Sequence, residues 1–140
     1  MRTDLLVNDF VYKTITEGCL VLFQSKFKRN YIHVRDIAET FLFCIKNYDK
    51  LNGQVFNVGL SDANLNKMEL AQKIKTYYPN LVIIENEFST DIDNRNYIVS
   101  NEKLESYGWR PKYNIDDGIQ ELALAYEMVI TDNNKKYTNL

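Results

Sequence analysis

Lys26, Lys28 and Arg29 fall within four residues, just ahead of the aromatic and β-branched run "YIHV", Tyr31 to Val34. Such a cluster is either a solvated loop or an anion seat at the edge of a sheet. Arg29 has the stronger chemical claim, because a guanidinium offers forked donors that match phosphate oxygens. Other chemistry is thinly supplied. His33 is the only histidine, and a lone imidazole in an apolar run is more often packed or hydrogen-bonded than catalytic. Cys19 and Cys44 form no CxxC pair and each lies in an apolar run. No metal set can be assembled from His and Cys at these spacings. Two buried free thiols suit a reducing cytoplasm. There is no GxGxxG, P-loop or GxSxG pattern. Tyr48, Tyr107 and Tyr126 have no lysine four residues on, so no Ser, Tyr and Lys set for hydride transfer stands out.

The elements that must position Arg29 follow from periodicity. With 140 residues, 45% hydrophobic and 26% charged, the chain suits one domain with a single core. A net charge of -2 and a pI near 5.4 weigh against a nucleic-acid partner. No signal-peptide pattern is visible, and no stretch reaches the ~18 apolar residues that cross a membrane. Asn8 or Asp9 is expected to cap a helix that Gly18 ends. "CLVLF", "YIHV", "QVFNVG" and "LVIIE" read as strands. Asp36 is expected to cap a helix that buries Ile37, Phe41, Cys44, Ile45 and Tyr48 as one stripe. Asn52-Gly53 is a turn signal. Asn66 and Glu69 have capping-box spacing ahead of a helix that Pro79 stops. Ser100 caps a short helix closed by Gly108. Asn114 caps the last helix, with Ile115, Ile119, Leu122, Tyr126 and Val129 as its stripe. Helices and strands alternate, which gives a mixed α/β class. The chain divides into 1–130 and a polar tail, 131–140, expected to fray.

Four segments in order carry a resemblance: "LLVNDFVYKTITEG", "RNYIHVRDIAE", "GQVFNVG" and "YIVSNEKLESYGWRPKYNIDDGIQEL". Together they resemble the C-terminal, substrate-side half of the extended short-chain dehydrogenase/reductases, the NAD-dependent nucleotide-sugar epimerases and dehydratases. The match covers nearly the whole chain. The resemblance implies an α/β C-terminal portion that lacks the dinucleotide-binding part of the Rossmann fold. The glycine-rich loop for NAD(P) and the Tyr and Lys catalysts would lie in the other half. The isolated chain is therefore expected to be catalytically incomplete and to bind no cofactor alone, with no catalytic or metal-binding residue of its own.

The resemblance also assigns residues. Arg29 matches the arginine ahead of "YIHV" that contacts the nucleotide-sugar diphosphate. Asn8 matches an asparagine that reaches the phosphates, although a helix cap would equally explain it. Val21 and Phe23 share a strand face and match positions that flank the base, against an ordinary core role. Arg95 is a looser match to a second phosphate contact, with Asp93 holding it or meeting a ribose hydroxyl. There the usual lead is replaced by "STDI", with Ser89 where an arginine would stand. The implied partner is a nucleotide-diphosphate sugar, in a cytoplasmic setting. The other reading is a stand-alone binding or oligomerising module without catalysis, associating through apolar surface that the other half would cover.

Overall fold

The computed structural model describes residues 4–86 and 96–136, without the side chains of 131–136. Helix α1 (Leu6–Glu17) runs into strand β1 (Cys19–Phe23) through Gly18, whose φ of 65° ends the helix in the left-handed region. Strand β2 (Lys28–Asn30) leads to helix α2 (Val34–Lys46) and the short α3 (Tyr48–Leu51). Strand β3 (Asn64–Asn66) runs directly into α4 (Lys67–Tyr77), and β4 (Val82–Asn86) follows. A short α5 (Glu102–Ser106) and the long α6 (Ile115–Lys136) complete the order.

Two small sheets carry the strands. β1 and β4 are parallel, with Leu20 opposite Ile83 and Leu22 opposite Glu85. β2 and β3 are antiparallel, with Arg29 opposite Leu65. The core forms where α1, α4 and α6 close over the inner face of β1. Leu20, Leu22, Val11, Leu70, Ile74 and Ile119 are essentially inaccessible to solvent there. The period of two sends Leu20 and Leu22 inward and leaves Val21 outward. Asn66 and Glu69 form the expected reciprocal capping box at α4. Asn114 and Asp117 form a second one at α6, each side chain taking the other's backbone N–H.

Several expectations fail for physical reasons. α1 begins at Leu6, so Asn8 and Asp9 lie inside its first turn, where Asp9 pairs with Lys13 at 2.9 Å. "YIHV" is not a strand: its short partner β3 is spent, and only Tyr31 adds one further bond, from its N–H to Ala63 O. His33, not Asp36, caps α2, its Nδ1 accepting the Arg35 N–H. Asp36 is instead buried and accepts the backbone N–H groups of Lys112 and Tyr113 at 2.9 and 3.1 Å. Asn101 holds the N-cap position of α5 without a side-chain cap bond, while the expected Ser100 accepts the Glu102 N–H at 3.4 Å. The α2 stripe is amphipathic but uncovered: Phe41 and Ile45 are 67% and 69% exposed, because no described element packs on it. At the far end of the α6 stripe, Val129 is exposed too. "QVFNVG" has no ladder partner among the described residues, and its Val55 points into solvent. Strand propensity without a partner makes no strand.

Candidate functional site

Arg29 and Asn8 line the same cleft, with a volume of about 890 Å³. It lies between the start of α1, the segment from Arg29 to Val34, and the first turns of α6. Arg29 is placed by the β2–β3 ladder, and its side chain is held on two sides. Nη1 donates to Lys28 O at 2.9 Å, and Cζ sits 5.3 Å from the centroid of the Tyr97 ring. Tyr97 is docked in turn: its N–H donates to Lys28 O at 3.3 Å, while the Lys28 N–H donates to Asn96 Oδ1.

Amide side chains stitch the floor beneath Arg29. Asn30 Nδ2 donates to Leu60 O at 2.8 Å and to Asn64 Oδ1 at 3.0 Å, and Asn30 Oδ1 accepts from Leu60 N–H. Asn64 accepts the Val99 N–H and donates to Val99 O. Gly59 lets the chain pass this knot, since a Cβ there would overlap the Asn30 amide oxygen. Lys67, buried at the start of α4, also lines the cleft and donates from Nζ to Phe23 O at 2.8 Å.

Tyr31 shares the cleft with Arg29. Its ring packs partly against the core. Its hydroxyl oxygen is buried and has no hydrogen-bond partner among the described residues. Burial pushes the phenol's pKa well above its ordinary value, with the neighbouring Arg29 charge opposing the shift. The hydroxyl is therefore neutral across the whole physiological range.

The opposite wall is a charged lattice. His33 Nε2 lies 3.2 Å from Glu121 Oε2, Arg35 Nη2 lies 2.9 Å from Glu121 Oε1, and the His33 ring stacks on Tyr113 with centroids 4.7 Å apart. His33 thus has the structural role expected of it, as cap and wall.

The residues that the sequence singles out are only partly gathered in one place among the described residues. Asn8 and Arg29 line one cleft. Val21 is half-exposed on the outer face of β1 and Phe23 is half-buried at its end, and neither lines this cleft. Arg95 and Asp93 lie outside the described residues. Tyr31, Lys67 and Tyr97 were not anticipated. For Tyr31 the signal was its spacing of two from Arg29, which puts both on one side of an extended segment. No group of three or more His, Cys, Asp or Glu among the described residues could hold a metal. A dinucleotide pyrophosphate needs glycines gathered at a helix N-terminus. The glycines here are scattered, and Gly18, Gly53 and Gly108 serve left-handed turns. Among the described residues there is no glycine-lined seat for a dinucleotide pyrophosphate.

No family model matches the chain. It is 30% identical over 119 residues to an uncharacterized protein of Schizosaccharomyces pombe, covering 71% of this chain and 32% of that protein. It is 27% identical over 117 residues to UDP-D-apiose/UDP-D-xylose synthase 2 of Arabidopsis thaliana, covering 71% of this chain and 29% of the synthase. The structure superposes on dTDP-glucose 4,6-dehydratase of Bacillus anthracis in complex with NAD, with a TM-score of 0.72 and 23% identity, covering 91% of this chain and 40% of that one. The fold is that of the C-terminal part of the extended short-chain dehydrogenase/reductases, the type that includes the NAD-dependent sugar epimerases and dehydratases. The chain spans about a third of the length of the curated relatives it matches.

Proposed function

We propose that this chain is the nucleotide-sugar-binding portion of an NAD-dependent sugar epimerase or dehydratase. The observation that carries the reading is the convergence of Arg29 and Asn8 on one cleft. Arg29, held by Tyr97 and the Lys28 carbonyl, binds the diphosphate, and the Asn8 amide supports it from the first turn of α1. Arg95 supplies a second phosphate contact, while Val21 and Phe23, which do not line the cleft around Arg29, flank the base beyond it. NAD(P), when bound by the complete enzyme, supplies the hydride acceptor, and its seat and the Tyr and Lys catalysts belong to another portion. The part played by this chain's residues is to bind and orient the substrate, so the chain alone is inactive. A cytoplasmic setting is supported by Cys19 and Cys44, which are both free thiols, although each is only partly buried where full burial is expected from the sequence. The test is calorimetric titration with UDP, dTDP, GDP and CDP sugars and with NAD. Binding of one nucleotide-diphosphate sugar without NAD binding supports the reading; absence of nucleotide binding by the folded chain contradicts it.

A second reading, a non-catalytic oligomerising module, draws on the α2 face, where Val34, Phe41 and Ile45 are about two-thirds exposed or more. An apolar stripe of this size favours association. Analytical ultracentrifugation of the chain and its Phe41→Ser variant separates the two. A wild-type oligomer that the substitution disperses favours association; a wild-type monomer removes the support.

A further inference from the structure

Resting on the nucleotide-sugar reading of the cleft, we infer that the Gln24 side-chain amide helps to choose the nucleobase, its Oε1 accepting an N–H of the base edge. Gln24 follows Phe23, the last residue of β1, where the parallel strands β1 and β4 end together at Phe23 and Asn86. Ligands of open parallel sheets sit outside the carboxyl ends of the strands. Two observations single out Gln24 there. Its φ of 48° is the one positive value at a non-glycine residue among the described residues. Its Oε1 is buried, yet no described group donates to it.

Both features destabilise the free chain. A left-handed backbone is strained when the residue carries a Cβ, and glycine would adopt it without that cost. A buried amide oxygen without a donor adds a desolvation cost. The surroundings enforce the turn all the same. Lys67 Nζ donates to Phe23 O at 2.8 Å, the Met68 N–H donates to Ser25 O at 3.4 Å, and the buried Ser25 donates from Oγ to Glu85 Oε1. Side chains and backbone of α4 and β4 thus clamp the residues on either side of Gln24. Strain over-determined in this way is a mark of ligand sites. Lys67 also lines the cleft with Arg29, so the turn borders that cleft through the Lys67 side chain. The missing partner has a defined chemistry. An acceptor oxygen needs a donor, and a diphosphate offers acceptors alone, whereas every base edge sets an N–H or amino group beside an acceptor. The amide, acceptor and donor side by side, complements such an edge. Asn101 makes the contrast. Its Oδ1 is also buried without a partner, but its φ is -108°, it packs against Gly59 and its Nδ2 reaches Ser61 Oγ.

Two variants test this. Gln24→Met keeps the stem of the side chain and removes the amide; Gln24→Gly also removes the backbone strain. Each is compared with wild type for the melting temperature of the ligand-free chain and for the calorimetric Kd of UDP, dTDP, GDP, CDP and inorganic pyrophosphate, with Arg29→Ala as reference. In Gln24→Met the diphosphate that wild type prefers is expected to weaken about 10-fold and the spread among the four to narrow, with pyrophosphate unchanged. Gln24→Gly is expected to melt above wild type. A preference among the four that survives in Gln24→Met, or an equal loss for pyrophosphate, would overturn the inference. So would a lower melting temperature in both variants, because the amide would then serve the fold. If Arg29→Ala loses binding and Gln24→Met keeps the preference, the inference fails and the binding reading stands. If wild type binds none of the four, both fail.

Discussion

The Arg29 guanidinium lies over the Tyr97 ring, with Cζ 5.3 Å from the centroid, although 68 residues separate them in sequence. The ring restricts a long side chain before any ligand arrives, which lowers the ordering cost of binding. Tyr97→Ala is expected to weaken nucleotide-diphosphate binding roughly 3- to 5-fold, the size of a partly exposed cation–π contact. Tyr97→Phe should retain affinity. Calorimetry of the two variants checks this, and equal losses in both would point to the hydroxyl instead of the ring face.

Asp36 fastens the start of α2 to the segment that leads into α6. It is 1% exposed and accepts the Lys112 and Tyr113 N–H groups. Asp36→Ala leaves both donors without that acceptor and is expected to cost about 2–4 kcal/mol. Asp36→Asn keeps one good acceptor oxygen and should cost less. Urea denaturation of the three proteins measures the order, and a silent alanine variant would contradict it.

Asp116 gives the fold a pH dependence. Burial alone would raise its pKa, but hydrogen bonds from Lys73 Nζ at 2.6 Å and Tyr77 OH at 3.0 Å, with the Lys73 charge, hold it below the usual carboxylate range. The folded carboxyl gives up its proton more readily than the unfolded one. Its stabilisation is therefore complete above the unfolded value near ~4 and is lost as pH falls through the folded value. The pair is partly exposed, so the effect is small, about 0.5–1 kcal/mol. Asp116→Asn is expected to lower the melting temperature at pH 7 by a few degrees and to converge with wild type at acid pH. Thermal melts across pH test this, and a gap that widens toward acid would refute it.

The reach of sequence reading shows in particular residues. Gly18, the strands β1 and β4, and the Asn66–Glu69 box were legible because caps and period-two runs are local signals. The exposure of Phe41 and Ile45 was not, since periodicity marks an apolar face without saying whether this chain covers it. Asp36 looked like a cap because cap spacing is local, whereas its partners lie 76 and 77 residues away. In the cleft, Arg29 and Asn8 were reached through resemblance. The Asn30–Asn64 knot, Tyr31 and Tyr97 required the fold, because long-range pairing alone brings them together.

The measurement that tests the central claim most directly is the calorimetric Kd of wild type and Arg29→Ala for UDP, dTDP, GDP and CDP sugars. The account predicts that one nucleotide-diphosphate sugar binds wild type and that Arg29→Ala weakens it by at least ~10-fold, the value of a charge-assisted contact, with the melting temperature little changed. Equal affinity in a folded Arg29→Ala chain, or no binding of any of these ligands by wild type, would contradict it.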